Sequence, residues 1–229
     1  QGHADAQFNL GVMYAKGEGV LDGDKAAVKW YRLAAQQGDT AAPHNLAVIY
    51  NEKKAVPVDN ETAATWYRRA AKRGFAPSQN DLAILYATGE GVSQSETMAL
   101  KWFRLAAEQG NAHAQTRLGL RYSLGQGVKQ SYVYAHMWAS VAASGGHKKA
   151  EELRNIVSRE MTSAEIEEAQ KLARECIEKK HKGCTASDAS WLKGHAAYDR
   201  GDATKALREW ELLAEQGDTR AQILVAILY

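Results

Sequence analysis

Apolar and polar positions recur along this chain with a helical period, and the whole pattern returns every 36 residues. In the first segment Ala6, Leu10, Gly11 and Tyr14 fall at steps of three and four, which places them on one face of a helix over roughly 4–16. Gly17-Glu18-Gly19-Val20 then interrupts the pattern, because glycine reaches the positive φ that ends a helix at little cost. A second helix is expected to begin near Asp24, to direct Ala27, Trp30, Tyr31 and Ala34 toward a core, and to stop at Gly38.

The same columns reappear downstream. Trp30, Trp66, Trp102 and Trp138 form one; Tyr14, Tyr50, Tyr86 and Tyr122 another; Leu10, Leu46, Leu82 and Leu118 a third. Ala27, Ala63, Ala99 and Ala135 keep the step, and Gly2, Gly38, Gly74, Gly110 and Gly146 mark the boundaries. Alanine pairs such as Ala34/Ala35 and Ala70/Ala71 let helix backbones approach closely, while Trp and Tyr fill the space between successive pairs. A single helix pair cannot bury its own apolar face, so neighbours must stack. The prediction is an all-α fold, a solenoid of tandem helix–turn–helix repeats over 1–37, 38–73, 74–109 and 110–145. Removing a buried indole costs about 3–5 kcal/mol, and Trp66 or Trp102 is expected to show that order of effect.

This set of residues resembles the Sel-1-like repeat family, a relative of the tetratricopeptide repeats. The resemblance rests on Ala6, Leu10-Gly11, Tyr14, Gly17-Glu18-Gly19-Val20, Ala27, Trp30-Tyr31 and Ala34-Ala35-Gln36-Gln37-Gly38. Gly89-Glu90-Gly91-Val92 and Trp102-Phe103 repeat it in the third unit. It covers about 1–160 closely and 186–229 in part. It implies an α/α superhelix, a right-handed solenoid, that binds a protein or peptide partner in its concave groove as a scaffold or adaptor. Bacterial secretion-linked, envelope, signalling or host-interaction roles are implied without a choice among them. The second repeat departs from the pattern, since Lys53-Lys54-Ala55-Val56-Pro57 carries no glycine, and a differently shaped connection is expected there.

After Gly146 the columns fade, and 146–184 reads as a degenerate repeat with a capping helix. Thr162 and Glu165 have the spacing of a capping box, and Ile166, Ala169, Leu172, Ala173 and Cys176 follow at helical steps. Residues 185–229 read as the start of a second repeat block. Trp210 stands seven residues before Gly217, as Tyr31 stands seven before Gly38, so it belongs to the aromatic column next to Trp30. Gly217–Tyr229 parallels Gly2–Tyr14, which suggests a piece of a longer protein or a rearranged chain. Ile223 and Ile227 on the last helix are then expected to be partly exposed, and the open ends to stack head to tail.

Charge narrows the function classes. Twenty-nine basic residues against 27 acidic ones are dispersed along the chain, so there is no electrostatic footprint for nucleic acid. No apolar run approaches the roughly 20 residues of a membrane-spanning helix, and membrane insertion is not expected. The seven histidines show no metal-binding spacing, and His181-x-x-Cys184 lacks a second half, so no metal or cofactor is expected. Ser140 and Ser144 have no evident acid–base partner, and the G-x-G loops lack the strand and lysine of a phosphate loop. The chain therefore reads as a non-enzyme. Some cysteine-rich relatives are described as weak lactam hydrolases, but neither the cysteines nor a nucleophile supports that role here.

Cys176 and Cys184 leave two states open: a bridge from the helix end to the following loop, or two unpaired thiols, the latter slightly favoured. The disulfide in each repeat that some relatives carry does not transfer, because these repeats contain no cysteine. The segment Lys182-Gly183-Cys184 after a capping helix resembles envelope or secreted members, which points to a periplasmic or secreted location, with the cytoplasm as the alternative.

A binding surface should vary between repeats while core columns stay constant. Two variable columns on the first helices are the candidate partner-binding residues: Asn9, Asn45, Asp81 and Arg117, and Met13, Ile49, Leu85 and Arg121. A third is Lys16, Glu52, Thr88 and Leu124. Met13, Ile49 and Leu85 are expected to form an exposed apolar row.

Overall fold

A computed structural model of the chain describes residues 3–17, 23–52, 59–184, 197–198, 200–215, 221 and 224–226. Among these the regular elements are all helices, and the first eight follow the expected pairing. They are α1 (Ala4–Ala15), α2 (Gly23–Gln36), α3 (Ala42–Asn51), α4 (Asn60–Lys72), α5 (Ala76–Thr88), α6 (Glu96–Ala107), α7 (Ala112–Leu124) and α8 (Tyr132–Ser144). Beyond them come α9 (Lys148–Ser158), α10 (Ser163–Glu178) and α11 (Ala203–Glu215). The chain divides into two compact units, Gln1–Ala107 and Glu108–Tyr229. The second-repeat connection and the residues Ile223 and Ile227 lie outside the described residues.

In the first unit the alanine columns sit where helices touch. Ala27, Ala34, Ala35, Ala63, Ala70, Ala99, Ala106 and Ala107 have no exposed surface. Leu46 and Leu82 are equally buried. The residue after each tryptophan fills space between pairs: Tyr31, Tyr67 and Phe103 are buried, whereas Trp30 and Trp66 are half-buried and Trp102 is buried together with Phe103. The Tyr31 ring explains the Leu-Gly pair of the repeat. A Cβ on Gly11 would lie 2.6 Å from its Cδ1 and Cε1, so the ring occupies the space a side chain would need.

Polar bonds recur with the repeat. The Arg32 guanidinium donates to the Tyr50 hydroxyl (2.7 Å), and one repeat later Arg68 donates to Tyr86 (3.3 Å). Arg69 donates to the carbonyl of Ala35 at 3.1 Å, a second donor to a carbonyl near the end of α2 that also accepts from Gly38 N at 3.3 Å. Helix starts are capped by side chains: Asp59 Oδ1 accepts from Thr62 N at 2.9 Å, and Asp39 Oδ1 accepts from Ala41 and Ala42 ahead of α3. At the third loop Gly89 and Gly91 take φ of 79° and 67°, and a Cβ on Gly91 would lie 2.1 Å from the Asn60 carbonyl oxygen. Both the conformation and the close approach demand glycine there.

In the second unit α8 packs against α7, α9 and α10. Trp138 is completely buried, and its neighbour in the Tyr31 column is Ala139, so one large side chain at the first position replaces one at the second. The predicted capping box at α10 forms: Glu165 Oε2 accepts from Thr162 N at 2.8 Å, and Thr162 Oγ1 accepts from Glu165 N at 3.3 Å. Trp210, 1% exposed, packs with Ala197, Ala206, Leu213 and Ala221, consistent with its place in the buried aromatic column.

Cys176 and Cys184 are joined by a disulfide with Cα atoms 5.2 Å apart, which corrects the preference for two free thiols. The local backbone supplies the reason. Lys180 and His181 adopt left-handed φ of 52° and 67°, and the His181 N–H donates to the Cys176 carbonyl at 2.8 Å. The chain thus folds back over the last turn of α10, and Cys184 arrives beside Cys176. Left-handed backbone at two successive non-glycine residues is not signalled by their residue types.

Candidate partner-binding surfaces

The variable columns divide between surface and core. Asn9, Met13 and Arg117 are exposed, Met13 by 48%. Ile49 and Leu85 are buried, at 4% and 3%, so the exposed apolar row expected for Met13, Ile49 and Leu85 does not exist. Ile49 belongs to the core cluster built on Ala27, Val28, Tyr31 and Leu46. It faces the helix of the preceding pair, a neighbour that helical periodicity within one segment does not reveal. Arg121 is likewise buried.

The polar column serves packing in its middle members. Asn45 is half-buried and hydrogen-bonds the Tyr31 side chain, which opposes the upward push that burial exerts on that phenol's pKa. Asp81 Oδ1 accepts from Asn80 Nδ2 at 2.9 Å, and its Oδ2 lies 3.8 Å from His44 Nδ1. His44 also meets Ser78 Oγ at 3.0 Å and packs beside Tyr67 and Phe75. Burial lowers the imidazole's pKa, and the Asp81 and Glu52 charges partly offset this. The same burial and the same two carboxylates raise that of Tyr67. The third column is the exposed one: Lys16, Glu52, Thr88 and Leu124 all face outward, Leu124 by 57%.

Two clefts run along the first helices, one in each unit. In the first unit a shallow cleft of about 200 Å³ is lined by Val12, Lys16, Asp24, Asn45, Val48 and Ile49. The second unit has a wider one of about 360 Å³, between α7 and α9. Its apolar part includes Leu120 and Ile156, 43% and 59% exposed, and its rim carries Arg117, Lys149 and Glu152. At one end His113 and His147 meet edge to face, with His147 Nε2 3.3 Å from His113 Nδ1 and Thr116 Oγ1 3.0 Å from His147 Nδ1. Desolvation, then the neighbouring His113 and Lys149, lowers the pKa of His147. Of this cleft only Arg117 was singled out in the sequence. Leu120 and Ile156 are apolar residues on otherwise polar faces, and that was the available signal.

The described residues hold no group of three metal-ligating side chains. No helix among them is long and apolar enough to cross a membrane. Contrary to expectation Ser140 does have an imidazole beside it, His136 Nδ1 at 3.3 Å, because the two are one helical turn apart on α8. No carboxylate among the described residues orients that ring, so the third member of a nucleophile–base–acid arrangement is missing. Ser144 Oγ donates to the Val141 carbonyl instead.

The Sel1 repeat pattern matches residues 4–39, 41–75, 76–111 and 112–147. Among solved structures, a protective antigen of uropathogenic Escherichia coli strains displaying an SLR fold superimposes with a TM-score of 0.72 at 34% identity, over 83% of this chain. This chain spans only 40% of the length of that antigen. A Sel1 repeat protein from Oxalobacter formigenes gives a TM-score of 0.63 at 31% identity, over 76% of this chain and 74% of the other. No curated protein matches significantly. Four matched repeats, each a helix pair with its alanine columns at the contacts, make this chain a member of the Sel1 repeat family.

Proposed function

We propose that the chain is an interaction scaffold that docks a peptide segment of a protein partner along its first helices, at the cleft between α7 and α9. Sel1 repeat proteins are generally protein-interaction scaffolds. The observation that carries the finer reading is the pair Leu120 and Ile156, large aliphatic side chains exposed on either side of one cleft. Exposed aliphatics gathered in a cleft with a charged rim are the usual anatomy of a docking surface. Arg117 and Lys149 outweigh Glu152 on that rim, which favours a segment with an aliphatic anchor and an acidic neighbour.

Selection of peptides from a displayed library on the intact chain tests the proposal. Enriched peptides should share an aliphatic–acidic core and lose at least tenfold in affinity on Leu120→Ser or Ile156→Ser, with helicity unchanged. Peptides indifferent to both variants but sensitive to Met13→Ser would move the site to the first unit. The Cys176–Cys184 bridge supports a periplasmic or secreted location, since disulfides persist in oxidising compartments. Alkylation of thiols in freshly lysed cells of the source organism, with and without reduction, checks it. Label incorporated without reduction would place the protein in a reducing compartment.

A further inference from the structure

On the other side of α9 lies a second cleft, of about 510 Å³, between α8, α9 and α10. Its polar lining is His136, Ser140, Arg154, Ser158, Gln170 and Arg174, and its apolar lining is Ile166, Ala173 and Ile177. It shares no lining residue with the α7–α9 cleft.

The polar groups are mainly donors. Neither Arg154 nor Arg174 makes an ion pair with a carboxylate of the described residues. The Ser158 hydroxyl donates to the Arg154 carbonyl at 2.8 Å, a bond on the Arg154 backbone that leaves the guanidinium free for a ligand. His136 is 3% exposed, and its burial and the nearby Arg154 charge lower its pKa, so the ring is neutral at pH 7. The Ser140 hydroxyl lies 3.3 Å from His136 Nδ1, one helical turn away on α8. Two guanidinium forks and an amide call for an acceptor-rich anion. The aliphatic lining calls for an apolar part on the same ligand.

We propose that this cleft binds a carboxylate carried on a short aliphatic group, Arg154 and Arg174 pairing the carboxylate while Ile166, Ala173 and Ile177 cover the aliphatic part. Inorganic phosphate satisfies the donors but leaves the apolar lining open to water, which is why the carboxylate is preferred. Such a group comes from a free aliphatic acid or from the C-terminal residue of a peptide.

The test uses the full chain and two probes, 4-methylpentanoate for the free acid and N-acetyl-leucine for a peptide terminus. Titrations are followed by NMR on the His136 imidazole and the Ile166 and Ile177 methyl groups. Saturable shifts are expected with at least one probe, and at least a tenfold loss of affinity on Arg174→Gln at unchanged circular dichroism. Arg154→Gln should do the same; Arg174 is the safer readout because it lies exposed on α10. Preference for N-acetyl-leucine identifies a peptide terminus as the source, and preference for 4-methylpentanoate a free acid. Equal binding of N-acetyl-leucinamide, tighter binding of inorganic phosphate at matched ionic strength, undiminished affinity in Arg174→Gln, or no saturable shift with either acid would each overturn the proposal.

Discussion

Trp66 and Trp138 occupy the same position of the repeat, two repeats apart, yet they do different work. Trp66 is half-buried, with the Arg69 guanidinium 5.4 Å from its ring centroid. Trp138 is wholly enclosed, and its indole Nε1 finds no hydrogen-bond partner among the described residues. The difference follows from the neighbours. In the first unit the space between pairs is filled by Tyr67 at the next position. In the second that position is Ala139, and α10 packs on α8 as well as α9 does. A residue's column in a repeat therefore states its direction, and the next element to stack states its burial.

The sharpest way to break this comparison is to truncate both indoles. Trp138→Ala should cost about 3–5 kcal/mol, and Trp66→Ala about 1–2 kcal/mol, because only part of its surface leaves water. Denaturation followed at several probes is required, since the two units need not unfold together. Equal losses would show that the exposure difference carries no energy.

A second contrast lies within one candidate column. Ile49→Ser should destabilise the first unit by about 2–4 kcal/mol, whereas Met13→Ser should stay within about 0.5 kcal/mol. Urea titration of the two variants decides it. If Ile49→Ser is neutral, that side chain is available for binding after all.

Reduction of the disulfide acts on the second unit alone. Closing the short loop between Cys176 and Cys184 stabilises by about 2–3 kcal/mol on loop-entropy grounds. Cys176→Ser with Cys184→Ser should lower the thermal midpoint of the second unit and leave that of the first unchanged. A shift of both midpoints would show that the two units unfold as one.

The smallest expected effect is on pH dependence. His44 in the first unit, and His136 and His147 in the second, all have pKa values lowered chiefly by desolvation. The unfolded chain then binds more protons, so stability is complete above the ordinary imidazole pKa of 6.5 and declines as pH falls below it. Asp81 and Glu52 offset part of this at His44, while Arg154, and His113 with Lys149, add to it at His136 and His147. Acidification from pH 7 to pH 5 should therefore weaken the second unit more, and His136→Gln should reduce that loss. Parallel melts of the unmodified chain and of His136→Gln across that range provide the check.

How much was legible differs between fold and site. Helix starts and stops were readable because they depend on local chemistry: the Thr162–Glu165 box and the left-handed Gly89 act within a few residues of themselves. Counting back from Gly217 places Trp210 in the aromatic column next to Trp30, and the structure shows that column to be the buried one. Of the candidate columns only Arg117 lines the cleft between α7 and α9, and Met13 is exposed but lines neither first-helix cleft. Ile49 and Leu85 looked like variable surface positions because periodicity within a segment cannot see the helix that covers them. Leu120 and Ile156, 36 residues apart, fall outside the three variable columns, although together they flank the wider cleft.

The sequence by itself determined the 36-residue period, the pairing of helices and the small residues at their contacts, because each follows from local backbone preference and from the need of one pair to bury its face on the next. The tertiary structure decided three things that depend on which neighbour arrives. These are the depth of each tryptophan, the meeting of His136, Arg154 and Arg174 from three helices in one cleft, and the closing of Cys176 on Cys184 through two left-handed residues. Burial and proximity are properties of packed pairs of elements, and no single segment encodes them.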